Sequence, residues 1–293
     1  MSNLVYIDGK FVPEEEARVS VFDRGFLYGD GLFETMRAYH GQVFRIDDHL
    51  ERLYHSSREL KIPLKFERKD LKEAVGDLLE KNKLSEAYLR LTLTRGLHRG
   101  SLSFDTGSQP TLVITARELD PYPPSYYQKG IRVIIAGIRQ NPFSPLSNHK
   151  SLSYLFYLLA REEARDRDAS EAILLNSKGE IAEGATSNIF LIINGEAFTP
   201  PEQAPLLPGI TRKAVIEMLP RLNLSCRICP VPQTRLEEAE EVFITNSLME
   251  VMPVTSVEDR KVGDGTPGPI TRSIARAYRE LVEEETTSGS KQA

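Results

Sequence analysis

The segment Ala87–Thr94, A-Y-L-R-L-T-L-T, constrains the fold more than any other stretch of the chain. Leu89, Leu91 and Leu93 fall on one face, and Tyr88, Arg90, Thr92 and Thr94 on the other. That period of two is the mark of a strand with unlike faces. T-L-V-I-T-A, starting at Thr111, reads as another strand, and L-V-Y-I-D-G-K-F-V-P as a hairpin turning at Asp8-Gly9. Two helices are expected between them. One is D-D-H-L-E-R-L-Y-H-S-S-R-E-L, with Asp47 as N-cap and Leu50, Leu53 and Leu60 near helical spacing. The other is D-L-K-E-A-V-G-D-L-L-E-K, with Leu71, Ala74, Val75, Leu78 and Leu79 on one face.

The proline-rich E-L-D-P-Y-P-P-S-Y-Y-Q-K-G reads as a linker. Beyond it come the strands I-R-V-I-I-A-G, E-A-I-L-L-N, S-N-I-F-L-I-I and E-V-F-I-T-N. Helices are expected at L-F-Y-L-L-A, after P-G-I-T-R, and at P-I-T-R-S-I-A-R-A-Y-R-E-L-V. Strands and helices are mixed rather than strictly alternating, which predicts an α+β chain of two lobes rather than a Rossmann-type sheet. The expected boundaries are a small N-terminal domain at 1–118, a linker at 119–130, a larger domain at 131–285 and a disordered tail at 286–293.

Bulk numbers narrow the function. With 293 residues, 40% of them hydrophobic and 27% charged, the chain is an ordinary globular protein of one or two domains. A net charge of -5 argues against a dedicated nucleic-acid binder. No apolar run is long enough to span a bilayer, and M-S-N-L-V-Y-I-D-G-K lacks the build of a signal peptide. A cytoplasmic location is therefore expected. The two cysteines, Cys226 and Cys229, stand in C-R-I-C. Zinc wants four ligands and a redox C-x-x-C a helix start. This pair lies in a strand, so bland thiols and no metal site are expected.

One lysine raises a chemical question. In N-H-K-S-L-S-Y-L, Lys150 sits between a proline-marked loop and an apolar run, so it is expected at the edge of a buried helix. It could simply snorkel to water. Desolvated, its amine would have a lowered pKa and could condense with an aldehyde. Two later segments favour chemistry. E-G-A-T-S-N-I-F, from Glu183, sets a carboxylate, hydroxyls and an amide before a strand. L-L-P-G-I-T-R opens a helix whose first N–H groups belong to Ile210 and Thr211, a natural phosphate cup. An aldehyde anchor, a partner for a ring nitrogen and a phosphate site together suggest pyridoxal phosphate. Taken singly, P-G-I-T-R could be an ordinary helix start and Glu183 a surface turn residue.

From Tyr6 to Tyr278 the chain resembles the class IV aminotransferases, the fold-type IV pyridoxal-phosphate enzymes. They include branched-chain aminotransferases, D-amino-acid aminotransferases and aminodeoxychorismate lyases. The motifs, in family order, are D-R-G-F-L-Y-G-D-G-L-F-E-T, H-L-E-R-L-Y-H-S, H-K-S-L-S-Y-L, E-G-A-T-S-N-I-F, P-G-I-T-R and E-V-F-I-T-N-S-L-M-E-V-M-P-V. The resemblance implies a small N-terminal α/β lobe, a larger barrel-like C-terminal lobe and a homodimer. It makes Lys150 the lysine that holds the cofactor and shuttles the proton between Cα and C4′. Glu183 becomes the partner of the pyridine nitrogen. Arg52, Ile210, Thr211 and Ser247 become phosphate contacts. Tyr154 would meet the ring hydroxyl, four residues after the lysine where some members use five. Asn188 is a cofactor-side amide or a strand cap. His149 is expected to be structural, since Lys150 already fills the role of base. Gly29 and Gly31 would let the backbone pass close to something.

The reaction divides the resemblance. Tyr88 and Arg90 match the Tyr-x-Arg of branched-chain aminotransferases. N-S-L-M-E-V-M-P-V, Thr35 and H-K-S-L-S-Y-L resemble the lyases. Arg99 lies one residue away from the carboxylate-binding arginine of lyases and D-amino-acid enzymes; it could equally be a solvated loop residue. Phe33 and Thr35 complete the candidate substrate contacts. The expectation is a 4-amino-4-deoxychorismate lyase that releases pyruvate and p-aminobenzoate. The alternatives are a branched-chain L-amino-acid or D-amino-acid transaminase and, more remotely, a non-catalytic pyridoxal-phosphate-binding relative.

Overall fold

The computed structural model describes residues 3–104 and 109–287 and divides the chain into two compact units. Unit 1 comprises 1–120, 149–154 and 282–293; unit 2 comprises 121–148 and 155–281.

Unit 1 carries a six-stranded antiparallel sheet. Its elements are β1 (Leu4–Ile7), β2 (Lys10–Pro13), α1 (Arg24–Tyr28), β3 (Gly31–Tyr39), β4 (Gln42–Val43), α2 (Ile46–Glu59), α3 (Arg68–Lys81), β5 (Ala87–Thr94) and β6 (Thr111–Glu118). The strand order is β2-β1-β6-β5-β3-β4. The alternation of β5 does what its period predicts. Leu89, Leu91 and Leu93 are fully buried with Leu50 and Leu53 of α2 and the apolar stripe of α3. Each such side chain contributes roughly 1.5–3 kcal/mol of transfer free energy. On the other face, Phe33, Thr35 and Arg37 of β3 stand opposite Thr92, Arg90 and Tyr88 of β5. Asp47 is not the cap of α2. Arg45 holds that position with φ 54°, and the Asp47 carboxylate takes Lys72 Nζ at 2.9 Å instead.

The lysine segment belongs to this sheet. Phe33 N–H donates to the Lys150 carbonyl at 2.8 Å, and Leu152 N–H to the Gly31 carbonyl at 2.9 Å. That pairing makes the units discontinuous, where contiguous domains were expected. It also explains the glycines. A Cβ on Gly31 would stand 2.6 Å from both the Leu93 carbonyl oxygen and Leu152 Cδ1, and one on Gly29 would press on Ser153.

Unit 2 holds a mixed ten-stranded sheet. Its elements are α4 (Pro124–Lys129), β7 (Ile131–Gln140), α5 (Leu155–Asp166), β8 (Glu171–Asn176), β9 (Glu180–Gly184), β10 (Asn188–Ile193), β11 (Glu196–Thr199), α6 (Ile210–Met218), β12 (Cys226–Ile228), β13 (Val231–Pro232), β14 (Glu241–Asn246), β15 (Glu250–Val257), β16 (Arg260–Lys261) and α7 (Pro269–Thr287). The order is β12-β11-β10-β14-β15-β7-β8-β9-β13, with β16 on β15. Strands β7 and β8 are parallel, so a crossover must join them, and α5 is its helix.

Three expectations change here. The helix of L-F-Y-L-L-A starts at Leu155, five residues beyond Lys150, and is not a buried one. Leu155, Leu158 and Leu159 are 67%, 52% and 57% exposed, and α5 buries Ala160 and Ala164 instead. The expected linker contains α4, which packs on β15 and whose Tyr127 hydroxyl donates to the Met249 carbonyl. Of the expected tail, Thr286 and Thr287 are helical, with Thr286 buried; 288–293 lie outside the described residues. No helix among the described residues is long and apolar enough to cross a membrane.

Two glycines separate packing from propensity. Gly31→Val is expected to cost on the order of 1–3 kcal/mol, because the colliding Leu93 oxygen is backbone. Gly76→Ala, mid-helix in α3 with open space at its Cβ, should be neutral or gain up to about 1 kcal/mol. Urea denaturation followed by circular dichroism measures both.

Candidate active site

In unit 1 one benzene ring organises the lysine's surroundings. Phe33 is buried on β3. Lys150 Nζ lies 4.6 Å from its centroid, the Arg90 guanidinium carbon 3.9 Å, and the Tyr154 ring meets it edge-on at 5.3 Å. Cation–π attraction of this kind holds both cations at fixed places on the polar face of the sheet. Thr35 is the cross-strand neighbour of Arg90. The Tyr88 ring carries Arg117 at 4.7 Å. Arg99 is exposed in the loop after β5.

The residue after Phe33 points the other way, as strand alternation demands. Glu34 is buried and accepts from Arg52 Nε at 2.9 Å and Arg52 Nη2 at 2.6 Å, while His49 Nδ1 lies 2.8 Å away. Burial alone would raise the Glu34 pKa. The Arg52 charge and the hydrogen bonds from His49 and Arg52 overcome it and hold the carboxyl at about 2. Burial pushes His49 down despite the neighbouring carboxylate, so the imidazole is neutral and donates Nδ1–H to Glu34. Arg52 is thus clamped at two points before it meets any ligand. Neither Glu34 nor His49 was among the expected site residues. The signal was there in the parity of F-E-T and in the H-x-x-R spacing, which puts His49 and Arg52 one turn apart. His149 bonds Ser56 Oγ at 2.9 Å, consistent with a structural role.

In unit 2 Glu183 is buried, not a surface turn residue. Gln140 Nε2 donates to its Oε1 at 3.0 Å and Leu207 N–H to its Oε2 at 2.9 Å. Asn188 Nδ2 donates to the Leu207 carbonyl at 2.8 Å. The same amide crowds the start of α6, where a Cβ on Gly209 would stand 1.9 Å from Asn188 Oδ1. Gly209 caps α6 with no side-chain hydrogen bond, leaving Ile210 and the buried Thr211 as the first helical residues. Thr245 faces Asn188 across the β10–β14 ladder, and its buried Oγ1 has no hydrogen-bond partner among the described residues. Ser247 lies in the next turn, which Asn246 shapes by accepting from Leu248 and Met249 N–H. Cys226 and Cys229 are free, and burial pushes the Cys226 thiol up to about 11, so it is a poor nucleophile.

Each unit by itself offers groups that suit a part of an aldehyde-bearing pyridine phosphate. Unit 1 offers an amine against an aromatic ring and a preset guanidinium. Unit 2 offers a buried carboxylate with a donor on each oxygen, a helix start no side chain caps, and an orphaned hydroxyl beside Asn188. Among the described residues no three His, Cys, Asp or Glu side chains form a metal-ligating group.

The Glu34 clamp predicts an acid limb. Its folded pKa lies below the ordinary 4.5, so its contribution is complete above that pH and lost as pH falls through about 2. The advantage of the native chain over Glu34→Gln should shrink by on the order of 3 kcal/mol across that window, read from urea midpoints at successive pH values.

Known proteins resemble this chain in sequence and in fold. The sequence profile of the family Amino-transferase class IV matches residues 31–257. A Methanocaldococcus jannaschii protein provisionally named a branched-chain-amino-acid aminotransferase is 38% identical over 280 residues, covering 94% of this chain and 96% of its own. The D-alanine aminotransferase of Bacillus licheniformis is 31% identical over 282 residues, covering 96% and 98%. The crystal structure of the Escherichia coli branched-chain amino acid aminotransferase superposes with a TM-score of 0.93 at 32% identity, over 98% of this chain and 96% of that one. A second branched-chain amino acid aminotransferase, solved with pyridoxamine 5'-phosphate, gives 0.91 at 30%, over 96% and 94%. A Legionella pneumophila structure provisionally named a 4-amino-4-deoxychorismate lyase gives 0.83 at 27%, over 91% and 96%. With the profile spanning most of its length, the chain belongs to the class IV aminotransferases.

Proposed function

We propose that the chain is a pyridoxal-phosphate-dependent transaminase for branched-chain L-amino acids, with a dicarboxylic keto acid as amino acceptor. One observation carries the reading: Arg90 and Lys150 share the Phe33 ring, so a carboxylate-pairing cation stands one ring away from the amine. The relatives favour it over the lyase expected from Asn246–Met249 and Thr35. Those named above are branched-chain and D-alanine aminotransferases, and the lyase is represented by a single structure.

When bound, the cofactor supplies an electron sink next to the substrate's α-carbon. Lys150 would anchor its aldehyde and, once displaced by the substrate's amine, would be free to carry the α-proton to C4′. Glu183 accepts one N–H donor on each oxygen and would hold the proton on the pyridine nitrogen. Arg52, Ser247 and the N–H groups of Ile210 and Thr211 take the phosphate, and Tyr154 takes the ring hydroxyl. Asn188 fixes the loop that presents the helix start. Phe33 and Tyr88 bound the apolar side of the substrate, and Thr35 and Arg90 the polar side. Arg99 is the group a second carboxylate would reach in a lyase or a D-amino-acid enzyme.

A cytoplasmic homodimer completes the reading. Phe22, Phe26, Leu102 and Phe104 are 64%, 74%, 70% and 56% exposed in unit 1, a run of large apolar side chains of the kind that marks an association surface.

The first test is the visible spectrum of the purified holoprotein after adding one amino acid and no acceptor. L-leucine and L-glutamate should each bleach the yellow band rapidly and completely. Bleaching by D-alanine alone would move the protein to the D-amino-acid branch. A band that stays yellow, with p-aminobenzoate released from aminodeoxychorismate, would restore the lyase. A protein that takes up no pyridoxal phosphate would overturn the role of Lys150. In the transaminase, Arg90→Ala should raise KM for glutamate by about tenfold or more and KM for leucine far less, since one charged contact is lost.

A further inference from the structure

We propose that Gln140 is a positioning residue that holds Glu183 ionised and oriented; this rests on Glu183 being the partner of the pyridine nitrogen. Gln140 ends β7 and Glu183 lies on β9, two strands away across β8. The side chains must reach over about 9.5 Å of sheet to meet. Both ladders break register at this level: β7–β8 between Ile135 and Arg139, and β8–β9 between Leu174 and Leu175. Bulges bend strands and re-aim their side chains. Here the result is a buried amide whose nitrogen donates to Glu183 Oε1 and to the Tyr157 hydroxyl, each at 3.0 Å.

Three consequences follow from the chemistry of an amide. It stays neutral and donates at every working pH. Its Nε2 donates on one side to Tyr157 and on the other to Glu183, so Tyr157 orients the group that orients Glu183. With Leu207 N–H on Oε2, each carboxylate oxygen has its own donor, which fixes the plane of the carboxylate and favours its charged form. No motif in the sequence marks Gln140. It acts through Glu183 and is not itself a catalytic residue.

The test is the affinity of the full-length apoprotein for pyridoxal phosphate. It is titrated by fluorescence between pH 5.5 and 8.5 and expressed relative to the native chain at each pH. Gln140→Leu removes the donor and should weaken binding about tenfold throughout. Gln140→Glu keeps a donor only while protonated. It should bind nearly as the native protein at pH 5.5 and weaken about tenfold or more by pH 8, as a second carboxylate ionises beside Glu183. Because Gln140 acts through Glu183, adding Gln140→Leu to Glu183→Gln should cost less than about twofold further. A Gln140→Glu protein with a flat profile would overturn the proposal, and so would a Gln140→Leu penalty undiminished by Glu183→Gln. If Glu183→Gln alone binds and absorbs like the native protein, the reading of Glu183 fails and takes this role for Gln140 with it. Since Gln140→Glu is compared with itself across pH, the proposal stays testable even if Gln140→Leu does not fold.

Discussion

The site rests on two backbone hydrogen bonds. Phe33 N–H to the Lys150 carbonyl and Leu152 N–H to the Gly31 carbonyl bind the lysine segment to β3 through an isolated antiparallel bridge at Leu32 and Ser151. Everything chemical in unit 1 follows from that register. Lys150 comes to the face of the sheet that shows Phe33, Thr35 and Arg37, opposite Thr92, Arg90 and Tyr88 on β5. The approach requires a missing side chain at Gly31, where any Cβ would strike the Leu93 carbonyl. A lysine on a free loop would spend its time in water. Pinned through its own backbone, it presents its amine to one ring.

Buried and half-buried carboxylates form the second theme, and each is satisfied in a different way. Glu34 is neutralised by a two-point arginine clamp and a neutral histidine. Asp30 is shared by Arg24 at 2.7 Å and Arg95 at 2.9 Å, and these arginines also donate to the Ser101 and Lys61 carbonyls. Glu183 takes an amide donor on one oxygen and a backbone N–H on the other. An unpaired buried charge would be costly, so such partners are obligatory for the fold. The kind of partner also matters. A guanidinium clamped to a carboxylate is itself held in place, as Arg52 is by Glu34. Neutral N–H donors orient a carboxylate without cancelling its charge.

On the proposed reading, a transaminase and a lyase would both call on Lys150 and Glu183, because proton removal next to an electron sink opens both reactions. The substrate shell must therefore separate them. The lyase-like letters Asn246–Met249 prove to include the turn that Asn246 shapes through its own backbone contacts. A residue that builds a turn is a weak guide to substrate, whereas Arg90 lies against the same ring as the lysine amine, and the proposed reading rests on that.

Much was legible in the sequence, for physical reasons that differ by element. The alternation of Ala87–Thr94 and the stripe of Leu71–Leu79 are local periodicities, and burial followed them except at Thr94, which is buried at the end of its strand. The lysine, Glu183 and the P-G-I-T-R helix start could be singled out as candidates because reactive groups are written in residue type and short spacing. The L-F-Y-L-L-A run misled for the converse reason. An apolar segment does not say whether its partner lies in its own chain, and α5 buries its alanines fully and Phe156 and Tyr157 in part while leaving its leucines exposed. Asp47 had the right composition for a cap but found Lys72, a partner 25 residues away. Gln140 carries no motif of its own, and Glu34 and His49 stand inside F-E-T and H-L-E-R without marking each other, since these contacts join residues 15 to 43 apart in the chain. Periods, helix starts and the inventory of reactive groups could be read from the chain because they depend on near neighbours. Which carboxylate clamps Arg52, which ring receives the lysine and which amide stands behind Glu183 were settled on folding, because contacts across strands depend on register, and register is a property of the folded sheet.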